Sequence, residues 1–283
     1  MSLERLLMRG YFALVEPVQF RLKKADRLRR AGMAGIGELP VAILQLGEPD
    51  TPLDRQMVEN HRHFISKFMR HVADGPPPSP WRGTASVIDL DRFTDADAYI
   101  RTIKKATSRG ITRELKGARE LGYRCRTFDR LAHGDDLYDI ETSKLFRTGG
   151  PVLKAVGRRL GLGDAGVGHD PWLASPSPLY WTQDWGVFIP DEATGRERLV
   201  GSVVLRRIGN SARMVAIMAH AEHLSAGALK LLFVEIVCRL LARDEPATRG
   251  VRYVMGGAME HGKLGLLDWK LRLQFQPHLI AEQ

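Results

Sequence analysis

The sequence predicts an α/β (α+β) protein built on a mixed sheet, and three observations carry that reading. Trp185–Pro190, Leu199–Ile208 and Ala212–His220 are short strand-like segments separated by the polar turns Asp191–Gly195 and Gly209-Asn210, which predicts an antiparallel meander. Ala226–Arg243 follows and is apolar on nearly all sides, with Lys230, Glu235, Arg239 and Arg243 marking a narrow exposed stripe, so this helix is expected to be buried against the sheet. Val251–Met255 then reads as a short central strand. A strand, a buried helix and a further strand make a parallel crossover, and a sheet that holds both arrangements is mixed.

The remaining elements follow in chain order. Residues 1–35 are basic and partly amphipathic, with Phe20, Leu22 and Leu28 set among arginines and lysines. Such a segment suits peripheral contact with an acidic membrane surface, or a solvated arm. Pro40–Gly47 reads as a strand. Asp50–Val72 reads as a helix capped by Asp50 or Thr51, with Pro52 in its first turn. Gly75–Pro80 is a stiff proline-rich run, and it divides the chain into an N-terminal accessory section, 1–80, and a main domain, 81–283. Thr84–Leu90 reads as a strand and Asp95–Leu121 as a basic helical region broken at Gly110 and Gly117. Tyr123–Phe128 suits a half-exposed strand, Asp135–Leu145 a helix, and Gly157–Pro178 a loop rich in Gly, Pro and Ser. Gly262–Leu271 and Phe275–Ile280 close the order as a helix and a strand.

Composition bounds the function. With 283 residues, 44% of them hydrophobic and 27% charged, the chain can bury a sizeable core. No run approaches the ~18 apolar residues that span a bilayer, and Met1–Gly10 lacks the features of a secretory signal, so a cytoplasmic location is expected. The net charge of +9 favours an anionic partner such as a CoA-like cofactor, tRNA or an acidic surface. Cys125 and Cys238 are too few for a disulfide framework, and neither lies in a CxxC pair.

Candidate chemistry gathers between the third meander strand and the buried helix, where Ala219–Gly227 holds His220, Glu222, His223 and Ser225. A strand-to-helix turn offers free backbone N–H groups and the positive end of a helix, which suits a phosphate or an oxyanion held by His223, Ser225, Ala226 and Gly227. His220 or Glu222 can take a proton from an attacking amine. The plainer reading makes Ser225 an ordinary N-cap and the histidines surface residues. His220 and His223 are three apart with no obvious third ligand, so no metal is expected. Arg147, beside Ser143-Lys144 and Gly149-Gly150, is placed to approach a phosphate or carboxylate, or to complement the end of a helix. Arg101, Lys104, Lys105, Arg109, Arg113, Lys116 and Arg119 recur at helical spacing and can neutralise phosphates, although few aromatics accompany them.

The order meander, buried helix, central strand, helix, strand resembles the core of the GNAT acyltransferases. Ile103–Phe128 is similar to the basic R-x-x-x-R-K-A-x-x-x-G segment of the FemABX-type branch, and Gly262–Phe275 to that branch's G-L-x-x-F-K-x-x-F-G ending, with Trp269-Lys270 as the aromatic-lysine pair. The resemblance covers roughly residues 85–280. It implies a GNAT-like mixed sheet with flanking helices, with room before it for a degenerate second GNAT-like half. It implies an acyltransferase that moves an acyl group from acyl-CoA or an acyl carrier protein to an amine or hydroxyl of a small molecule or peptide, or uses aminoacyl-tRNA as donor, or survives as a non-catalytic binding module. It also makes Lys270 a residue that contacts the anionic donor or acceptor and steadies developing negative charge, against the plainer reading of an exposed helix lysine. GNAT enzymes carry a Q/R-x-x-G-x-G/A loop where this chain has Ala219–Ala228 with the single glycine Gly227, and FemABX-type proteins lack that loop as well.

Overall fold

The computed structural model describes residues 39–69, 83–107, 110–144, 146–147, 150–151, 177–191, 195–259 and 264–283, together with Val18. The basic segment 1–35 apart from Val18, the Gly75–Pro80 run and most of Gly157–Pro178 lie outside the described residues. The strands are β1 (Val41–Leu44), β2 (Ala85–Asp89), β3 (Arg124–Thr127), β4 (Phe146–Arg147), β5 (Gly150–Pro151), β6 (Tyr180–Asp191), β7 (Arg196–Ile208), β8 (Ser211–Ala219), β9 (Tyr253–Ala258) and β10 (Gln276–Glu282). The helices are α1 (Pro52–Ile65), α2 (Ala96–Ala106), α3 (Gly110–Glu120), α4 (Gly134–Thr142), α5 (Ala228–Ala242) and α6 (Leu264–Arg272).

The mixed sheet with flanking helices expected from the sequence is present. Eight strands run in the order β1-β10-β2-β9-β8-β7-β6-β3. β6, β7 and β8 form the antiparallel meander, and β8 then pairs with β9 in parallel after the α5 crossover. β1 pairs in parallel with β10, so residues 41–44 join the same sheet as the C-terminal strands. β4 and β5 form a small separate hairpin.

Local chemistry sets the boundaries. Thr51 and Asp54 form a reciprocal capping box at α1, with Pro52 at its start. The helix gives way at Ser66 to a short 3-10 turn, well before Val72. Asp95 caps α2 by accepting a hydrogen bond from the Ala98 N–H. α3 runs through Gly117 without a break, because Ile111, Leu115 and Ala118 bury a continuous face on α5. β9 starts two residues later than expected and extends into Gly256-Gly257, since Val251 is taken up in a turn to Thr248 and the Tyr253 N–H donates to the Asn210 carbonyl.

Neighbouring residues of a strand point to opposite faces, and the core divides accordingly. Val254, Ala212 and Met214 face the cluster built by α2, α3 and α5, which includes Tyr99, Ile103, Leu115, Phe233 and Trp269. Tyr253 and Met255 face a second cluster with Met57, Val58 and Ile65 of α1. α4 covers Phe188 and Leu199 with Leu137 and Ile140.

Candidate active site

Parallel pairing between β8 and β9 covers Ser211↔Tyr253, Ala212↔Val254 and Arg213↔Met255, and no further pair forms. β8 goes on to Ala219 along β7, while β9 goes on to Ala258 along β2, so the two strands part. Between them lies a cleft of about 760 Å³. Its lining comes from both faces of the sheet: Met214, Ile217, Leu229 and Trp269 from the α5 side, and Phe64, Arg213 and Met218 from the other. Gly256 and Gly257 form its β9 wall, where a Cβ on Gly256 would meet Ser86 Oγ at 2.9 Å and Phe275 at 3.0 Å. These residues were not singled out in the sequence, although the Gly-Gly pair ending a central strand was a visible signal of close approach.

A β-bulge shapes the β8 wall. Val204 faces Ala216 and Leu205 faces Met214, which leaves Val215 with no register partner on β7. Val215 is exposed and lines the cleft. An extra residue of this kind interrupts the ladder, so backbone groups near it can serve a ligand in the cleft.

Lys270 lies at the cleft and is 2% exposed, not an exposed helix lysine. Its Nζ donates to the Ala258 carbonyl at 2.5 Å, tying α6 to the end of β9. Burial pushes the amine from its usual 10.5 down to about 8.

His220, Glu222 and His223 occupy a 3-10 turn between Ala219 and Leu224, which both line the cleft, so the three stand at its rim. The turn is pinned from α4, where Ser143 Oγ accepts from the Ala221 N–H and donates to the Ile140 carbonyl. Tyr123 shares a 2.6 Å hydrogen bond with His223 Nδ1. Burial, then the neighbouring His220 and Arg198, lowers the His223 pKa, while burial raises that of Tyr123. The ring of His223 is therefore neutral near pH 7. His220 Nδ1 is buried without a hydrogen-bond partner among the described residues and stands 3.8 Å from Glu222 Oε2, on a side chain that is 78% exposed. Ligand atoms of His220, Glu222 and His223 all lie within 4.8 Å of one another, so Glu222 offers a third donor atom that spacing alone did not suggest.

The helix N-terminus differs in detail from the expected cap. α5 starts at Ala228 with Gly227 as N-cap in the left-handed region, and Ser225 is exposed in the preceding turn. Ala226 packs on the core, and a Cβ on Gly227 would come within 3.3 Å of the Glu114 carbonyl of α3. The glycine thus serves the turn and its close approach to α3. Glu114 also pairs with Lys230 in the first turn of α5, which sets a negative charge near the positive helix end.

Arg147 lies in β4, paired with Gly150, and its side chain is outside the described residues. Lys144 of the same cluster lines the cleft. On the α2–α3 surface, Arg101, Lys104, Lys105, Arg113 and Lys116 are exposed, while Arg119 pairs with Glu235. Burial pushes both cysteine thiols up to about 12, which keeps them protonated and poor nucleophiles. Among the described residues no helix is long and apolar enough to cross a membrane.

No family model matches this chain, and no curated protein matches it. Among solved structures, the chain is similar to one described as FemX, with 10% identity and a TM-score of 0.47, over 83% of this chain and 68% of that one. It is also similar to a tandem GNAT protein from the clavulanic acid biosynthesis pathway, with 16% identity and a TM-score of 0.39, over 85% and 73% of the two chains. Nothing about donor, acceptor or mechanism passes from either protein to this one at these values.

Proposed function

We propose that this protein transfers an acyl group from a thioester or ester donor to an amine or hydroxyl, by direct attack within the cleft between β8 and β9. The single observation that carries the reading is the parting of two parallel strands at Arg213/Met255, with a bulge at Val215 on one wall and Lys270 at the other. Such an opening admits an extended acyl chain between apolar walls and presents backbone groups to its carbonyl.

In this reading the carbonyl sits against the β8 wall near Val215. The amine attacks it, a C–N bond forms, and the oxyanion is stabilised by backbone N–H groups and by the Lys270 ammonium. His220 takes the proton from the amine, with Glu222 beside it as an exit to solvent. The C–S bond then breaks and the thiolate leaves and is protonated. His223, held by Tyr123, keeps the turn in place, and Ser225, Ala226 and Gly227 frame the entry at the head of α5. Residues 81–283 carry the chemistry, and acyl-CoA or an acyl carrier protein supplies the donor in the cytoplasm.

The exposed basic surface of α2 and α3 supports a second reading, in which aminoacyl-tRNA is the donor. A thermal-shift comparison of acetyl-CoA, a long-chain acyl-CoA and charged tRNA at two salt concentrations separates the two. Stabilisation by a CoA ester that is little changed by salt supports the first reading, and stabilisation by tRNA alone that fades with salt supports the second. Silence from all three counts against acyl transfer from either donor.

A further inference from the structure

The cleft holds a charge that the acyl-transfer step leaves unused. Among the described residues its charged lining is Lys144, Arg213 and Lys270, with no carboxylate. Arg213 stacks its guanidinium 4.1 Å over the Phe64 ring and makes no hydrogen bond or ion pair among the described residues. It is half-buried, and its direct cross-strand partner is Arg206, itself buried. Like charges placed opposite one another on a sheet destabilise it, and burying an unpaired cation adds a desolvation cost.

The surroundings keep this spot cationic. His61 of α1 is 2% exposed and accompanies Arg213 on the same face, with Nε2 3.3 Å from Ser211 Oγ and Nδ1 buried without a hydrogen-bond partner among the described residues. Burial, then Arg213 and Arg206, pushes His61 down to about 3, so it stays neutral. Burial and Arg206 also lower Arg213, to about 10, which leaves it charged at pH 7. A fold tolerates an unpaired, partly desolvated guanidinium where a ligand completes it.

We propose that Arg213 is the subsite for a carboxylate on the acceptor, so that the acyl-accepting molecule is an amino-acid-like compound with its amine in the cleft and its carboxylate on this guanidinium. The inference rests on the acyl-transfer reading for the role of the amine, while carboxylate binding itself does not. Stacking on Phe64 fixes the plane of the guanidinium and leaves its N–H edges for a bidentate oxoanion. A monoanion balances the charge of this guanidinium, which has no ion-pair partner among the described residues. The position also suits the reaction, because Arg213 lines the cleft from the α1 face while the head of α5 lines it from the other, giving acceptor and donor separate approaches.

The test is equilibrium binding to the full chain, with the common amino acids, their primary amides and inorganic phosphate as probes, in wild type, Arg213→Gln and Arg213→Lys. The expected result is that some acids raise the melting temperature, their amides do not, Arg213→Gln loses the response and Arg213→Lys keeps part of it. Without ligand, Arg213→Gln should melt no lower than wild type, because it removes a like-charge contact. Acids that act no better than their amides, or that act equally on Arg213→Gln, overturn the proposal. A response to phosphate alone that depends on Arg213 also overturns it and assigns the subsite to a phosphorylated ligand. CoA esters, acyl carrier protein and charged tRNA serve as the separating controls: failure of acids with a donor still bound removes the subsite alone, and silence from all three donors with acids still bound removes the acyl-transfer reading alone.

Discussion

The Lys270 amine donates a 2.5 Å hydrogen bond to the Ala258 carbonyl, and this contact fastens helix α6 to the last residue of β9 across the base of the cleft. An ammonium group that is 2% exposed carries a desolvation cost, and it is this cost that lowers its pKa. Two consequences can be measured.

The first concerns stability. The amine releases its proton near pH 8 in the folded chain and near 10.5 in the unfolded one. Between those values the unfolded state binds more protons, so stability rises with pH across that window and levels off beyond it. Relative to Lys270→Met, wild type should gain on the order of 3 kcal/mol between pH 8 and pH 10.5. Urea midpoints over that range read the gain directly, and a flat difference between the two proteins places the amine in a water-like setting.

The second concerns rate. If the charged amine steadies the oxyanion, turnover falls as pH climbs through about 8, and Lys270→Met lowers kcat with little effect on acceptor KM. A rate that instead climbs through that pH makes Lys270 a proton acceptor.

The proposed reaction uses His220 with Glu222 as the proton path at the rim. His220→Ala should cost about 100-fold or more in kcat, and Glu222→Gln less, because its side chain is largely in water. Both variants should melt close to wild type. Chelators should leave turnover intact. Loss of activity on chelation that zinc restores would turn His220, Glu222 and His223 from a proton path into a metal site.

A fourth prediction tests the architecture behind the site. Arg207 is 1% exposed and donates to the carbonyls of Gly209, Pro246, Ala247 and Arg249, so it fixes the loop that leads from α5 towards β9. Arg207→Met strands those acceptors and should cost about 3 kcal/mol or more in chemical denaturation. Gly209→Ala should be comparably harmful, since φ is +58° and the new Cβ would lie 1.9 Å from the Gln45 carbonyl. A Gly209→Ala protein as stable as wild type means that residues 45 and 46 do not pack on this turn.

Much of the fold was legible because the meander and its crossover helix are written in local patterns. The turn pair Gly209-Asn210 fixed the β7–β8 hairpin, and the apolar run of α5 could only be buried. What the sequence hid depends on register. The bulge at Val215 shifts one residue against β7, and no local pattern in Ala212–His220 announces it. Lys270 reads as an amphipathic surface residue until α6 is seen to turn it inward to Ala258. Arg213 looks like an ordinary strand-surface arginine, and its setting appears only when Arg206 is placed opposite it and no carboxylate pairs with it among the described residues. The parting of β8 and β9 was equally invisible, since it comes from their different outer neighbours, β7 and β2.

The central claim is that the cleft between β8 and β9 holds the acyl donor during transfer. Gly265 is exposed and lines that cleft, and a Cβ built on it meets nothing within 4 Å among the described residues, so Gly265→Trp is the substitution expected to obstruct the cleft. Thiol release from acyl-CoA in the presence of a mixture of amino acids should proceed in wild type and be lost in Gly265→Trp at an unchanged melting temperature. Equal thiol release from the two proteins would place the donor elsewhere and contradict the account.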